Sequence, residues 1–182
     1  RPDPKDRRAE AARLATITSG ELRGEALLSA LREVVRDDPA NPQANLRLGF
    51  ALVAGRDCPG AEAAFNVAIR AGLPSADPYL GRASCELARG DGGAARATLE
   101  LAARVEPGNP VVDANLGVVL SAAGRHEEAA RFLARAIGAD PDFHEARFNL
   151  ALAHARAGAR DAAILQTREL LRRLPHRSRR PG

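Results

Sequence analysis

The strongest constraint in this sequence is a pattern that returns every 34 residues without an insertion. Prolines recur near the end of successive blocks, and alanines recur inside the blocks at fixed distances. Self-similarity at such a period is typical of a repeat protein, in which each unit buries its apolar face against the next. The pattern predicts five units, 8–41, 42–75, 76–109, 110–143 and 144–177. The recurring residues are Pro39, Pro107, Pro141 and Pro175, with Pro74 one place late; Ala61, Ala95, Ala129 and Ala163; and Ala68, Ala102 and Ala136.

Each unit predicts two helices, as the fourth unit illustrates. Its apolar pattern predicts one helix over 111–123 and a second over 126–139. Gly124 separates the two because glycine can adopt the left-handed conformation that ends a helix. Pro141 follows the second helix because proline cannot continue one. The sequence therefore predicts an all-α fold.

The composition favours closely packed helices. Hydrophobic residues make up 45% of the chain but aromatic residues only 3%, so alanine and leucine carry most of the apolar surface. We expect Gly117 and Ala129 where the two helices of a hairpin cross, and Ala136 where the next helix approaches. A bulkier side chain at such a crossing overpacks it, at a cost of about 1–3 kcal/mol.

The periodic residues resemble the tetratricopeptide repeat (TPR) family, whose pattern runs W-x2-L-G-x2-Y, then A-x3-F, then P over 34 residues. Leu48-Gly49 and Leu116-Gly117 match the L-G step, and the resemblance covers residues 8–177. The remaining segments are interpreted as an N-terminal linker, 1–7, and a basic tail, 178–182. The departures lie in two slots. The Trp slot holds Ala11, Asn45, Tyr79, Asp113 and Arg147, and the Tyr slot holds Thr18, Leu52, Glu86, Leu120 and His154.

This resemblance implies a right-handed α-solenoid in which the first helix of each repeat faces a concave groove. An open groove suits an extended peptide or a partner helix, and it lacks the enclosure that catalysis generally requires. We therefore expect a non-catalytic protein-interaction scaffold that uses no cofactor. By analogy with the family, the groove residues are Arg47, Phe50, Leu80, Ser84, Asn115, Val118, Phe148, Asn149, Leu152 and Arg156.

Asn115 and Asn149 occupy the same slot in successive repeats. In some members of the family, asparagines at this slot form a ladder that binds the backbone of a peptide, and a primary amide matches a peptide unit as both donor and acceptor. The alternative is that these amides bond only within the scaffold. The clamp with which chaperone-binding members hold a carboxylate is not matched, because most of its positions carry Leu, Ala, Phe or Ser.

The charge distribution argues against nucleic acid as the partner. The net charge is +4 and the pI is about 10, but the basic surplus lies in the two ends of the chain rather than in the repeats, and few aromatics are available to stack on bases. No apolar run is long enough to cross a membrane. His126-Glu127-Glu128 lacks the second histidine of a helical zinc site, and His154 falls in a slot typical of a packing residue.

The two cysteines do not form a disulfide framework. Cys85 is interpreted as a substitute for alanine on a helix, and Cys58, followed by Pro59, as an exposed turn residue. A bridge between them is disfavoured, because it would tie a turn to the middle of a helix. In the same repeat as Cys85, Arg82 stands in a leucine slot with Glu86 four residues on. A structural ion pair within the helix is favoured there over a ligand-binding pair.

The C-terminal end predicts an uncovered apolar edge. Ile164, Leu165, Leu171 and Leu174 should face a following helix, which suggests self-association or further sequence beyond this chain. The chain also has no methionine, so it is expected to be a processed protein or a segment of a longer one. The opening segment RPDPKDRR resembles the junction before the tetratricopeptide segments of some bacterial multidomain enzymes, sulfatase-like hydrolases among them. This resemblance implies one alternative to a free-standing scaffold, an accessory domain of a larger bacterial enzyme. A further alternative is an adaptor in bacterial secretion or pilus assembly. We expect a soluble bacterial protein, cytoplasmic or periplasmic.

Overall fold

The computed structural model describes residues 23–173. The predicted linker, the first helix of the first repeat, Leu174 and the basic tail lie outside these residues. The described chain contains nine α-helices and no strand, so the predicted all-α fold is confirmed. It forms two compact units that divide between Asp91 and Gly92. We call residues 23–91 the N-terminal half and residues 92–173 the C-terminal half.

The helices alternate between the two types that the repeat pattern predicts. The N-terminal half contains α1 (Gly24–Asp37), α2 (Pro42–Ala54), α3 (Cys58–Arg70) and α4 (Asp77–Ala88). The C-terminal half contains α5 (Gly92–Val105), α6 (Pro110–Ala122), α7 (His126–Ala139), α8 (His144–Arg156) and α9 (Arg160–Arg173). The even-numbered helices are the first of their repeats and are called A helices; the odd-numbered ones are B helices. The two helices predicted for the fourth repeat are α6 and α7.

Short polar side chains begin several of these helices. The Oδ1 atom of Asn41 accepts a hydrogen bond from the backbone N–H of Ala44, and that of Asn109 accepts from the N–H of Val111, both at 2.9 Å. Such caps satisfy backbone donors that have no partner in the first turn. Proline at the first helical position of α2 and α6 fits there because its missing N–H would be unbonded anyway.

Left-handed residues end the A helices, as predicted for Gly124. Gly90, Gly124 and Gly158 have φ angles of 79°, 78° and 79°. The corresponding residue of the second repeat is Arg56, which adopts the same conformation with φ of 61°. A side chain makes this conformation costly, whereas glycine adopts it freely.

The core of the N-terminal half is built around Phe65 of α3, which is fully buried. Gly49 on α2 and Gly81 on α4 face its ring, and a Cβ atom at either glycine would overlap the ring. The ring of Phe50 meets that of Phe65 edge-on, with centroids 5.2 Å apart. A large ring is therefore accommodated by the absence of a side chain on both neighbouring A helices.

Leu133 of α7 takes the place of Phe65 in the C-terminal half, and it is also fully buried. A Cβ atom on Gly117 would lie 2.5 Å from Cγ of Leu133, and Ala129 and Ala136 are both fully buried. The small residues thus lie at close helix contacts, as predicted. The residue that corresponds to Gly81 is Asn149. The C-terminal half therefore combines a buried leucine with an asparagine at the two positions where the N-terminal half combines a phenylalanine with a glycine.

The expectation for the two cysteines is wrong. Cys58 and Cys85 form a disulfide, with Cα atoms 5.4 Å apart. Cys58 is the first residue of α3 rather than a turn residue, and it is partly buried. Cys85 is fully buried on α4, as expected for a substitute for alanine, and its side chain faces the start of α3. The bridge therefore joins two packed helices and not a loop to a helix.

Three of the Trp slots hold buried polar residues that bond to the scaffold. The side-chain amide of Asn45 donates to the carbonyl oxygen of Pro39 at 3.1 Å, and the Nη2 atom of Arg147 donates to that of Pro141 at 3.0 Å. The two prolines occupy equivalent places in the repeat. Polar side chains therefore secure the turn before the A helix, at a slot where the family pattern places tryptophan.

Candidate functional site

The exposed face of the A helices is the candidate site. In the N-terminal half, α2 and α4 contact each other directly. Phe50 on α2 is 43% exposed even though one edge of its ring packs on Phe65. Arg47 and Leu80 are half-buried and Ser84 is exposed, so the four predicted residues of this half are an exposed aromatic ring, a leucine and two polar side chains.

The corresponding face of the C-terminal half exposes two large apolar side chains, Val118 and Phe148. Helices α6 and α8 also contact each other, and Val118 and Phe148 are 38% and 58% exposed. Leu152 is half-buried. The guanidinium of Arg156 donates from Nη1 to Oγ of Ser121 at 3.5 Å, which connects the C-terminal ends of the two helices. Large apolar side chains left exposed beside fixed polar groups are typical of a protein-binding surface.

The two asparagines of this face differ in their bonding. The Nδ2 atom of Asn115 donates to the carbonyl oxygen of Val111 at 2.8 Å, within its own helix. The side chain of Asn149 makes no hydrogen bond to any residue in 23–173, and it is half-buried. The scaffold-bonding alternative therefore describes Asn115, whose Oδ1 atom stays available as an acceptor, whereas Asn149 keeps the full donor and acceptor capacity of a primary amide.

One buried carboxylate lies beneath the face of the C-terminal half. Asp113 of α6 is 2% exposed and accepts a hydrogen bond from Nη2 of Arg135 at 2.9 Å. The guanidinium of Arg135 is also stacked on the ring of Phe132, 5.0 Å from its centroid. Burial raises the pKa of Asp113 and outweighs the attraction of Arg135, which acts to lower it.

Arg82 and Glu86 form the structural pair that the sequence favours. The Nε atom of Arg82 donates to Oε1 of Glu86 at 3.0 Å, and its Nη1 atom donates to Oδ1 of Asn66 on α3 at 3.2 Å. A second ion pair, between Arg89 and Glu62, also joins α4 to α3. The predicted pair therefore does more than stabilise one helix, because it helps to hold two successive hairpins together.

At the corresponding place in the C-terminal half, the side chains are too small to make such pairs. Ala157 stands where Arg89 stands, and Ala130 and Ala134 replace Glu62 and Asn66. A cleft of about 370 Å³ results between α7 and the end of α8, and we call it the alanine cleft. His154, expected to be a packing residue, is half-buried and lines it. The lining residues are Glu127, Ala130, Arg131, Ala134, His154, Ala157 and Ala159.

Helix α9 carries the apolar edge that the sequence predicts. None of its residues is buried, and Ile164, Leu165 and Leu171 are exposed. A depression of about 440 Å³ lies beside Ile164. Near the end of the helix, Arg172 and Arg173 donate to Glu169 and lower the pKa of its carboxyl to about 2. The fourth residue of the predicted edge, Leu174, lies outside the described chain.

Within residues 23–173, no three His, Cys, Asp or Glu side chains are grouped so that they could hold a metal ion. No helix in the same range is long and apolar enough to cross a membrane.

The structural comparisons find the same architecture in several bacterial proteins. The crystal structure of MamA is 22% identical, superposes with a TM-score of 0.76, and covers 95% of each chain. MamA from Desulfovibrio magneticus RS-1 is 16% identical, with a TM-score of 0.78 over 94% of this chain and 96% of that chain. YrrB, described as a TPR protein with an unusual peptide-binding site, is 19% identical, with a TM-score of 0.70 over 90% and 82%. At these identities the likeness concerns the fold.

The sequence comparisons identify the family. No curated protein sequence matches this chain. Two family models described as tetratricopeptide repeat do match, one over residues 86–143 and the other over 25–76, 47–110 and 115–178. This is a family of interaction modules, and neither model describes a catalytic domain. These matches span most of the chain, and they agree with the repeat pattern, the helices and the structural neighbours. The chain therefore belongs to the tetratricopeptide repeat family.

Proposed function

We propose that this protein is a non-catalytic scaffold that binds a peptide or a partner helix on the exposed faces of its A helices. The observation that carries the proposal is the exposure of Phe148, together with Val118 on the adjacent A helix. An aromatic ring that remains exposed on a packed helix costs free energy in water, and a partner recovers that free energy when it covers the ring.

The binding site in the C-terminal half has the parts that a peptide needs. Phe148, Val118 and Leu152 offer apolar contact, and the free amide of Asn149 can bond to a peptide backbone. Arg156, fixed by Ser121, adds a positive charge at one end. In the N-terminal half, Phe50 with Arg47, Leu80 and Ser84 is proposed as the equivalent contact.

A peptide selected from a random library against the full chain tests this proposal. We expect Phe148→Ala to weaken the selected peptide by roughly tenfold or more, as aromatic anchors do. Leu101→Ala is the matched control, because Leu101 is 42% exposed but lies on a B helix. Calorimetric titration measures both affinities. If both variants weaken the affinity for the peptide equally, or if neither variant weakens it, the assignment of the site to the A helices is contradicted.

The asparagines provide a finer test of the same site. Because the amide nitrogen of Asn115 is engaged by its own helix and that of Asn149 is not, we expect Asn149→Ala to weaken the peptide more than Asn115→Ala. The double variant should lose about an order of magnitude in affinity. An unchanged affinity in the double variant would remove the asparagine ladder from the proposal.

A second proposed function is self-association through α9, with a second copy of this chain as the partner. Ile164, Leu165 and Leu171 leave an apolar stripe on this helix, and exposed stripes of this kind mark association surfaces. Light scattering over a range of protein concentrations measures the mass. We expect Leu165→Glu combined with Leu171→Glu to give monomers at every concentration, while Leu101→Glu leaves the association unchanged. A wild-type chain that is monomeric throughout would exclude this proposal.

A further inference from the structure

The Cys58–Cys85 disulfide lies at the junction between α3 and α4 in the N-terminal half. Cys58 begins α3 and Cys85 lies within α4, so the bond joins the second hairpin to the third. These are the only two cysteines in the chain. Their Cα separation of 5.4 Å lies in the usual range for a disulfide. The chain therefore offers one intramolecular pairing, and the fold brings its two members together.

The disulfide is close to the contact that orders Phe50. Cys85 follows Gly81 by four residues, so the two lie on one face of α4. Gly81 packs on the ring of Phe65, which supports the edge of Phe50 on the A-helix face. The disulfide at Cys85 is thus attached to the face of α4 that packs on Phe65. Because Phe65 in turn packs on Phe50, the disulfide is linked through these contacts to an exposed ring of the candidate site.

The polar contacts at the same junction are weaker than a covalent bond. Arg89–Glu62 lies at the surface, and Arg82 donates a hydrogen bond to Asn66. Surface ion pairs contribute little and are screened by salt. The disulfide is consequently the tie at this junction that a change of redox conditions, rather than of salt, would remove.

We propose that the Cys58–Cys85 disulfide is a redox-dependent staple, formed when the protein enters an oxidising compartment, and that it holds α4 against α3 in the functional form of the N-terminal half. Disulfides persist in secreted and periplasmic proteins and are kept reduced in the cytosol. The proposal thus places the working protein outside a reducing cytosol. Its consequence for binding rests on the proposed docking role of Phe50, whereas the redox dependence of α4 does not.

The oxidant in this proposal is a disulfide-donating oxidoreductase. Cys58 reacts first because it is the more accessible of the two, and its thiolate attacks one sulfur of the donor's disulfide. This step forms a mixed disulfide and releases one donor thiolate. The Cys85 thiol then loses its proton and attacks the Sγ atom of Cys58, which releases the second donor thiolate. Two electrons pass to the donor, which becomes a dithiol, and the two protons of the cysteines balance its thiolates.

The first experiment measures the redox state of the full chain directly. The protein is purified from an oxidising secretory compartment, denatured in the presence of a thiol-alkylating reagent, and weighed as the intact chain. We expect no alkylation, and two alkylated cysteines after prior reduction. Alkylation of both cysteines without reduction would overturn the proposal. So would a disulfide-linked dimer, because the bond would then join two chains.

The second experiment measures hydrogen exchange in the oxidised and reduced proteins. We expect reduction to accelerate amide exchange in α4 by roughly tenfold, because this helix loses its covalent tie. Helices α7 and α8 are the internal control, since His126 and Ala153 occupy the corresponding positions. Cys58→Ala combined with Cys85→Ala should match the reduced wild type in either buffer. Exchange in α4 that is the same in both redox states would overturn the proposal.

A variant with a transplanted disulfide keeps the test informative if the cysteine-free variant does not fold. His126→Cys with Ala153→Cys, added to the wild-type chain, places a bond at the corresponding junction of the C-terminal half. We expect exchange in α8 to become sensitive to reduction there as well. If α8 gains this sensitivity while α4 lacks it, the staple is refuted in the N-terminal half. A chain that binds no peptide but shows the redox response refutes the proposed function and leaves the staple standing.

Discussion

The junction between α3 and α4 and the junction between α7 and α8 occupy corresponding places in the repeat, yet different interactions hold them. The first has a disulfide, two arginine-centred polar contacts and a glycine that receives a phenylalanine ring. The second has alanines, a histidine and a cleft. The difference teaches that the 34-residue period fixes where two helices meet, while the residues at that meeting are free to vary.

The largest expected effect comes from removing the covalent part of the first junction. The disulfide closes a loop of 27 residues, which corresponds to about 3.5 kcal/mol of chain entropy in the unfolded state. We expect Cys58→Ala with Cys85→Ala to lower the free energy of unfolding by about that amount in urea titrations. Reduction of the wild type should have a similar effect, and reduction of the variant should have none. A loss below about 1 kcal/mol would show that the other contacts of the junction suffice.

The glycine that accompanies Phe65 gives the next largest effect. Gly81→Ala places a Cβ atom against the ring, so we expect a loss of about 1–3 kcal/mol in the free energy of unfolding. Phe65→Leu reproduces the leucine of the second junction and should reduce the cost of Gly81→Ala. A double-mutant cycle measures this coupling. Asn149→Ala is the control, and we expect it to cost much less. Independent, additive effects at 65 and 81 would contradict the close contact.

The Trp slot gives a third difference between the two halves, in the pH dependence of stability. It holds the neutral Asn45 in the N-terminal half and the ionisable Asp113 in the C-terminal half. Burial raises the folded-state pKa of Asp113 above its unfolded value, so the folded protein retains a proton that the unfolded chain has lost. Stability should therefore fall as pH rises through the window between these two pKa values, and remain lower above it. We expect Asp113→Asn to remove this slope and to stabilise the protein at pH 7 by up to about 1 kcal/mol.

Urea titrations between pH 3 and 8, compared with those of the wild type, check the contribution of Asp113. Asn45→Asp is the reciprocal variant, and it should introduce a slope of the same sign in the N-terminal half. If Asp113→Asn lowers stability at pH 7 instead, the ion pair with Arg135 outweighs the burial of the charge.

The smallest expected effect concerns the turn between the helices of one hairpin. Arg56 adopts a left-handed conformation that glycine adopts in the third, fourth and fifth repeats. We expect Arg56→Gly to raise the free energy of unfolding by about 0.5–1 kcal/mol, because it removes the strain of a side chain at positive φ. Gly124→Arg should show the opposite change. Thermal unfolding of the two variants measures both, and a destabilised Arg56→Gly would mean that the side chain makes a compensating contact.

The sequence predicted the helices well because their signals are local and periodic. Gly124 ends α6, and α7 begins at His126, as its position in the repeat indicates. Gly117 and Ala129 lie at the predicted contact. Phe148 and Val118, which the family analogy assigns to the groove, are exposed on their helices, and their role in binding stays a prediction.

The disulfide is harder to predict than the helices, because its two cysteines lie on different helices that meet only in the fold. Cys58 looks like a turn residue beside Pro59, but Asp57 caps α3 and places Cys58 in the first turn of the helix. A signal was present: in a repeat protein, any two slots that touch between successive repeats touch at every junction. The alanine cleft was missed for a related reason, since it depends on several small residues from two helices that meet only in the fold.

The alanine cleft also has a consequence for how such a chain can change. Single substitutions can place longer side chains in the unfilled space of this helix junction, and we expect the helices to stay in place when they do. The arginine and glutamate pair of the other half shows what such growth looks like when it is complete. The same helix junction thus occurs in two forms, one filled by long polar side chains and one that contains a cleft. Protein engineers could use the cleft to introduce a new side-chain contact or a chemical label.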